Sequence, residues 1–273
     1  MKYLIAFILL LFSMNVYADE QSVYDRVTER GEIRCGYLPW KYFVDIDPNT
    51  GEFSGIVVDY MEQLGANLGL EIKWVEEVGR GDYPQGLKQG RYDVYCTSLT
   101  VTAERARVSD FVQPFVVSLF EVFVRDGDTR FDYNLDALNS EEISFIAGEG
   151  DVFSKIIRNR FPKARLVELP QLSTDADPLM FLATGKADAI VMNSHIGATF
   201  MRNNPNQIRK VELDSPLRYI PISVVTKYDE YRFTRMLDMA TREMLDNGSM
   251  DRILSKYGVI GDSFLPIAPP YKR

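Results

Sequence analysis

The chain has 273 residues, 46% of them hydrophobic and 12% aromatic, enough to bury the core of one large domain or two modest ones. Its 31 basic residues stand against 39 acidic ones, for a formal charge of −8. That balance argues against nucleic acid or an anionic membrane as the main partner, and leaves room for a small ligand in a local pocket.

Residues 1–18 read as a secretory leader: Lys2, an apolar run over residues 4–12, and the exit site Val16-Tyr17-Ala18 before Asp19. The run is too short to span a bilayer, and no Cys follows the expected cut to carry a lipid. A soluble, exported mature protein is expected, in an oxidising compartment.

Residues 31–37 (GEIRCGY) have the character of a first strand, followed by a loop rich in aromatics: Trp40, Tyr42 and Phe43. Turn chemistry fills residues 47–51. Asp45, Asp47, Asn49 and Gly51 half-imitate a calcium loop. The glycine falls one place late, however, and Ile56 stands where a bidentate acid is needed, so no calcium is expected. Val57, Met61, Leu64 and Leu68 then recur at helical spacing, with Gly69 as C-cap. Residues 71–76 are a second strand, 83–89 a short helix ended by Gly90, and 93–96 a third strand. Strands alternating with helices imply right-handed βαβ units in a parallel sheet, with ligands bound beyond the carboxyl ends of the strands. Tyr37 and residues 97–105 fall at that edge. Cys35 and Cys96, the two cysteines outside any C-x-x-C pair, lie on neighbouring strands; they form a disulfide or sit as two small buried hydrophobes.

The third strand is read as ending in a hydroxyl cluster, Thr97, Ser98, Thr100 and Thr102, before a helix opens with Glu104 and Arg105. Thr102 suits an N-cap, and loop amides at a helix N-terminus favour an anion. A cation in a first turn opposes the helix dipole. Arg105 is therefore either a bidentate grip for a carboxylate or a solvated side chain paired with Glu104 or Asp110.

The second half repeats this pattern. Residues 182–190 (LATGKADAI) mirror residues 87–95 (LKQGRYDVY) at an offset of 95, which predicts two similar lobes. An apolar strand over 119–124 leaves the first lobe, another over 220–226 returns to it, and helices over 232–244 and 249–257 follow. Two crossings make a hinge. The expected organisation is a leader at 1–18, one lobe from 19–122 with 225–273, and a second from 123–224.

In this order, GEIRCGY, GEFSGIVVDYMEQLGANLGL, LKQGRYDVYCTSLTVTAERARVSDFVQPF, GKADAIVMN and MLDNGSMDRILSKYG resemble the amino-acid-type periplasmic solute-binding proteins of ABC transporters, family 3. The resemblance implies an α/β clamshell of type II, each lobe a mostly parallel sheet flanked by helices, joined by two hinge strands. It implies a periplasmic monomer without a cofactor that closes on a small carboxylate-bearing solute, an amino acid or a related compound, and delivers it to a membrane permease. In that family the arginine of T-x-x-R holds the ligand α-carboxylate, which maps onto Arg105. The hydrogen-bonding positions map onto Thr100 and Ser98, and one aromatic among Tyr37, Trp40, Tyr42 and Phe43 packs on the ligand.

The second lobe departs from the pattern. Its turn reads Gly148-Glu149-Gly150-Asp151, without hydroxyls, and Asn193 stands where an acid usually meets the ligand ammonium. An amide brings no countercharge, and a charge-assisted bond is roughly twice as strong as a neutral one. Either Glu149 or Asp151 substitutes, or the ligand lacks an α-amine. His195 has no nucleophile or carboxylate at readable spacing and reads as structural. No metal-ligand cluster, phosphate loop or G-x-S-x-G elbow is present in the sequence. A binding protein is thus expected rather than an enzyme. The alternatives are a dehydratase-like enzyme on the same fold, with Glu149 facing Arg105, and an accessory or sensor protein serving a periplasmic dehydrogenase.

Overall fold

Three parallel strands with helices between them form the first lobe of the computed structural model, which describes residues 21–149, 151–170, 176–258 and 263–267. The expected leader and Gly150 lie outside the described residues. Helix α1 (Val23–Arg30) precedes β1 (Glu32–Tyr37), the aromatic loop and a hairpin of β2 (Asp45–Ile46) and β3 (Phe53–Ser54). Asp47 closes the hairpin: its Oδ1 accepts the N–H groups of Asn49 at 2.8 Å and Thr50 at 3.1 Å. Gly55 then takes φ 126°, and a Cβ there would lie 2.4 Å from the carbonyl oxygen of Phe43. Helix α2 (Ile56–Leu68) ends at Gly69 in the left-handed conformation. Strand β4 (Glu71–Glu77), helix α3 (Tyr83–Lys88), and strands β5 (Val94–Thr100) and β6 (Ser109–Phe111) complete this part, with β4, β1 and β5 side by side and parallel.

Two segments differ from expectation. Strand β5 runs on to Thr100 with every residue buried, so Thr97, Ser98 and Thr100 belong to the strand and not to a loop. The segment after it is a single 3₁₀ turn, Arg105–Arg107, in place of a helix. The returning strand explains both, because it pairs with residues 94–100 and again with residues 109–111, leaving only a short connection between. Thr102 still caps the turn, its Oγ1 accepting from the Arg105 N–H at 3.3 Å. One turn carries little dipole, so the conflict of Arg105 with a helix dipole falls away.

Strand β7 (Val116–Arg125) leads into the second lobe: β8 (Ser144–Gly148), α4 (Val152–Arg160), β9 (Arg165–Leu169), α5 (Ala176–Ala183), β10 (Ala189–Asn193), α6 (Ser194–Asn203) and β11 (Ile208–Lys210). Strands β9, β8 and β10 are again parallel. Strand β12 (Arg218–Lys227) returns to α7 (Tyr231–Asp246) and α8 (Ser249–Lys256), and β13 (Phe264–Pro266) adds to β7.

The sequence repeat has a structural meaning. Asp93 accepts the N–H of Arg34 on β1 at 3.0 Å and donates its own N–H to the Arg34 carbonyl at 2.8 Å. Asp188 does the same to Ser144 on β8, at 2.9 and 2.8 Å. Each aspartate clamps the neighbouring strand of its own lobe.

Residues 116–120 of β7 pair with 218–222 of β12; beyond that pairing β7 continues against β10 and β12 against β5. The path β4-β1-β5-β12-β7-β10-β8-β9 therefore crosses from one lobe to the other through two long strands. Separate cores lie on either side, one around Tyr60, Leu64, Phe115 and Met244, the other around Phe145, Ile157, Leu182 and Ile190. This is the two-lobed clamshell expected from the motifs. Cys35 and Cys96 are bonded, with Cα atoms 5.4 Å apart, and tie β1 to β5 across 61 residues.

Candidate functional site

The carboxyl ends of the strands in both lobes open onto one cavity of about 540 Å³. From the first lobe, β5 supplies Ser98 and Thr100, the 3₁₀ turn Arg105, the loop after β1 Trp40, and the loop after β4 Arg80. Opposite them, β8 ends at Gly148 and Glu149, Asp151 caps α4, and β10 ends at Asn193. Such strand-end edges are the usual ligand sites of open α/β sheets.

Arg105 is half-buried. Its Nη1 donates to the Thr100 carbonyl at 3.0 Å and also to Thr100 Oγ1. No carboxylate among the described residues lies within ion-pair distance of it. Burial pulls its pKa below the ordinary value, with Arg80 adding to the shift and Asp151 opposing it. An arginine nonetheless stays charged. Nearby, the Ser98 Oγ is buried without a hydrogen-bond partner among the described residues, an uncommon state that suits a ligand contact.

In the second lobe Asp151 Oδ1 accepts the Val152 N–H at 2.6 Å, and Glu149 is exposed. Asn193 is buried, and its Nδ2 donates to Ser118 Oγ on β7 at 3.0 Å.

The cavity thus brings together Arg105, Thr100, Ser98, Trp40, Asn193, Glu149 and Asp151, and leaves out Tyr37 and Tyr42. Tyr37 packs edge-on against Phe53 and Trp74, at 4.9 and 6.0 Å between centroids. Tyr42 takes a left-handed φ of 72°, which turns its side chain toward α6; its hydroxyl accepts from Arg202 at 3.1 Å. Phe43 is fully buried and stacks under Trp40 at 5.2 Å. Of the loop aromatics, Trp40 is the one that lines the cavity.

His195, the second residue of α6, is 5% exposed and sits among Trp40, Phe43 and Phe264 at 5.5, 6.0 and 5.0 Å. Burial pushes its pKa down to about 3, and neither nitrogen has a partner among the described residues. It is a neutral aromatic spacer between α6 and the loop of the other lobe. Two features escaped the sequence reading: an ion pair from Glu104 in the first lobe to Lys155 on α4 in the second, and Arg80 in the cavity wall. The only sequence signal for Arg80 is its place just past a strand end, between Gly79 and Gly81. Among the described residues no group of three or more metal-binding side chains occurs.

Two hinged α/β lobes with a cavity at their strand ends, apolar walls set with a few charged and polar groups, define the class of solute-binding clamshells. The model of the bacterial extracellular solute-binding proteins, family 3, matches residues 33–260, and the chain belongs to that family. It is 25% identical over 185 residues to the L-cystine-binding protein of Escherichia coli K12, a match spanning 66% of this chain and 65% of that protein. To a probable histidine-binding protein of Neisseria gonorrhoeae it is 26% identical over 214 residues, 77% of this chain and 76% of the other. Among solved structures, a putative binding component of an ABC transporter from Wolinella succinogenes, complexed with lysine, shares the fold at TM-score 0.71 and 23% identity, over 85% of this chain and 97% of that one. An ancestral amino acid-binding protein, a precursor of cyclohexadienyl dehydratase, does so at TM-score 0.71 and 20% identity, over 87% and 99%.

Proposed function

We propose that the protein captures an amino acid or a related small carboxylate between its lobes and hands it to a membrane ABC permease, acting as a periplasmic monomer once the leader is removed. The observation that carries this reading is Arg105, a half-buried guanidinium braced on Thr100, facing a cavity, with no acid of its own among the described residues. Desolvating an unpaired charge is costly, and a ligand carboxylate removes that cost with a bidentate bond. Ser98 and Thr100 add hydrogen bonds, and Trp40 covers the ligand body. Asp151, Glu149 and Asn193 receive a ligand amine from the second lobe. The lobes, 19–122 with 225–273 and 123–224, close about β7 and β12, so that binding energy becomes a shape the permease can read. The histidine and cystine named for the relatives support an amino acid as the ligand.

Thermal unfolding of the mature protein, stripped of co-purified ligand, against the common amino acids tests this. A ligand at about 100 times its Kd adds roughly 2.7 kcal/mol, a shift of several degrees for a chain of this size. A flat panel removes the reading and favours an accessory role. One observation keeps an enzyme in view: Glu149 is an exposed acid in the same cavity as Arg105. Turnover of a prephenate-like cyclic carboxylic acid, lost in Glu149→Gln, would establish that alternative.

A further inference from the structure

We infer that Arg80 is a second anion-holding residue of the cavity, and that the cavity selects a solute carrying two acidic groups. This rests on the carboxylate reading of Arg105 and extends it to the other end of the ligand.

Arg80 follows β4, at the same strand-end edge of the first lobe that presents Ser98, Thr100 and Arg105, and it lines the same cavity. Its guanidinium lies over the Trp40 indole, 5.0 Å from the ring centroid, a cation–π contact that holds the exposed side chain beside the aromatic wall of the cavity. No carboxylate among the described residues pairs with it, although many other arginines here are so paired, including Arg30 with Asp93, Arg91 with Glu76 and Arg209 with Asp132. The wall contributed by the first lobe therefore carries two guanidinium groups with no countercharge within ion-pair distance among the described residues. Their fields overlap, since Arg80 is among the causes that lower the Arg105 pKa. Arg80 is exposed at the mouth of the cavity and Arg105 is half-buried. Two like charges lining one cleft repel, though solvent screens the exposed one, and a ligand with two acidic groups relieves both.

The opposite wall carries Glu149 and Asp151. A dicarboxylic amino acid matches this division, with its two carboxylates toward Arg105 and Arg80 and its ammonium toward the second lobe. A neutral amino acid fills only the Arg105 position. A basic one sets a third cation against Arg80.

The test is calorimetric titration of the mature, ligand-stripped protein with L-glutamate, L-glutamine, L-aspartate and L-asparagine, then with the remaining common amino acids. Each acid and its amide have nearly the same shape and differ in charge. The acid of at least one pair should bind ten-fold or more tighter than its amide, a difference typical of a charge-assisted bond. Arg80→Gln should erase most of that preference, and Arg105→Ala should abolish binding of both members. Amides binding as tightly as acids, or a preference that survives Arg80→Gln, overturns the inference. If neutral or basic amino acids bind and the acidic ones do not, this inference falls and the Arg105 reading stands. If no amino acid binds, both fall.

Discussion

At the residue scale, two aspartates and one arginine show what a linear pattern can reveal. Asp93 and Asp188 stand out because the same helix-end, glycine, basic-residue and aspartate order precedes both strands, and both make the same clamp. Burial raises the Asp188 pKa, but bonds from the Ser144 hydroxyl and N–H and from Arg125 outweigh it and hold the carboxyl below its usual range. Asp188→Ala leaves the half-buried Ser144 N–H without its partner and should cost about 1 kcal/mol, read as a lower midpoint in denaturant at an unchanged slope. Arg105 was legible from its motif, whereas the choice among the loop aromatics was not. Which of Tyr37, Trp40, Tyr42 and Phe43 faces the cavity depends on the left-handed backbone at Tyr42 and on the packing of Phe53 and Trp74, neither of which has a linear signature.

At the scale of elements, strands and helices were legible because apolar spacing and glycine caps bound them. Elements without that signature, α1, β2, β3, β6, β8, α4, β9 and β11, were not legible, and others had the wrong extent. Strand β5 and the 3₁₀ turn owe their extent to β12, a partner more than 100 residues away in sequence. Strand β13 has three residues, too few to show a period. The disulfide between β1 and β5 closes a span of 61 residues, and replacing both cysteines by alanine should cost about 4 kcal/mol, a fall in Tm on the order of 10 °C. Helix α6 lies so close to β7 that a Cβ at Gly197 would sit 2.1 Å from the Phe123 ring. Gly197→Ala should therefore destabilise by about 1–3 kcal/mol despite the better helix propensity of alanine, measured by the same unfolding. His195, on the same helix, links stability to pH. Its pKa falls from 6.5 in the unfolded chain to about 3 when folded, so between those values the unfolded state binds the extra proton. Stability should fall as pH drops through that window, by up to about 1.4 kcal/mol per unit, and should be fully present above pH 6.5. His195→Phe should flatten the slope between pH 6.5 and 5; an unchanged slope there would contradict a neutral buried imidazole.

At the scale of the whole molecule, the two lobes and the two crossings between them were legible because the chain leaves one βαβ unit, builds another and returns. Contacts between the lobes were not, since Glu104 with Lys155 and Tyr42 with Arg202 join residues brought together only by the hinge. The cavity is expected to close on a carboxylate held by Arg105. The most direct measurement is calorimetric titration of the mature protein with the amino acid that most raises its Tm, repeated on Arg105→Ala at matched stability. Loss of a bidentate charge-assisted grip should weaken binding by 100-fold or more while the fold persists. An Arg105→Ala protein that binds the same ligand within a few-fold of the native affinity would contradict the account.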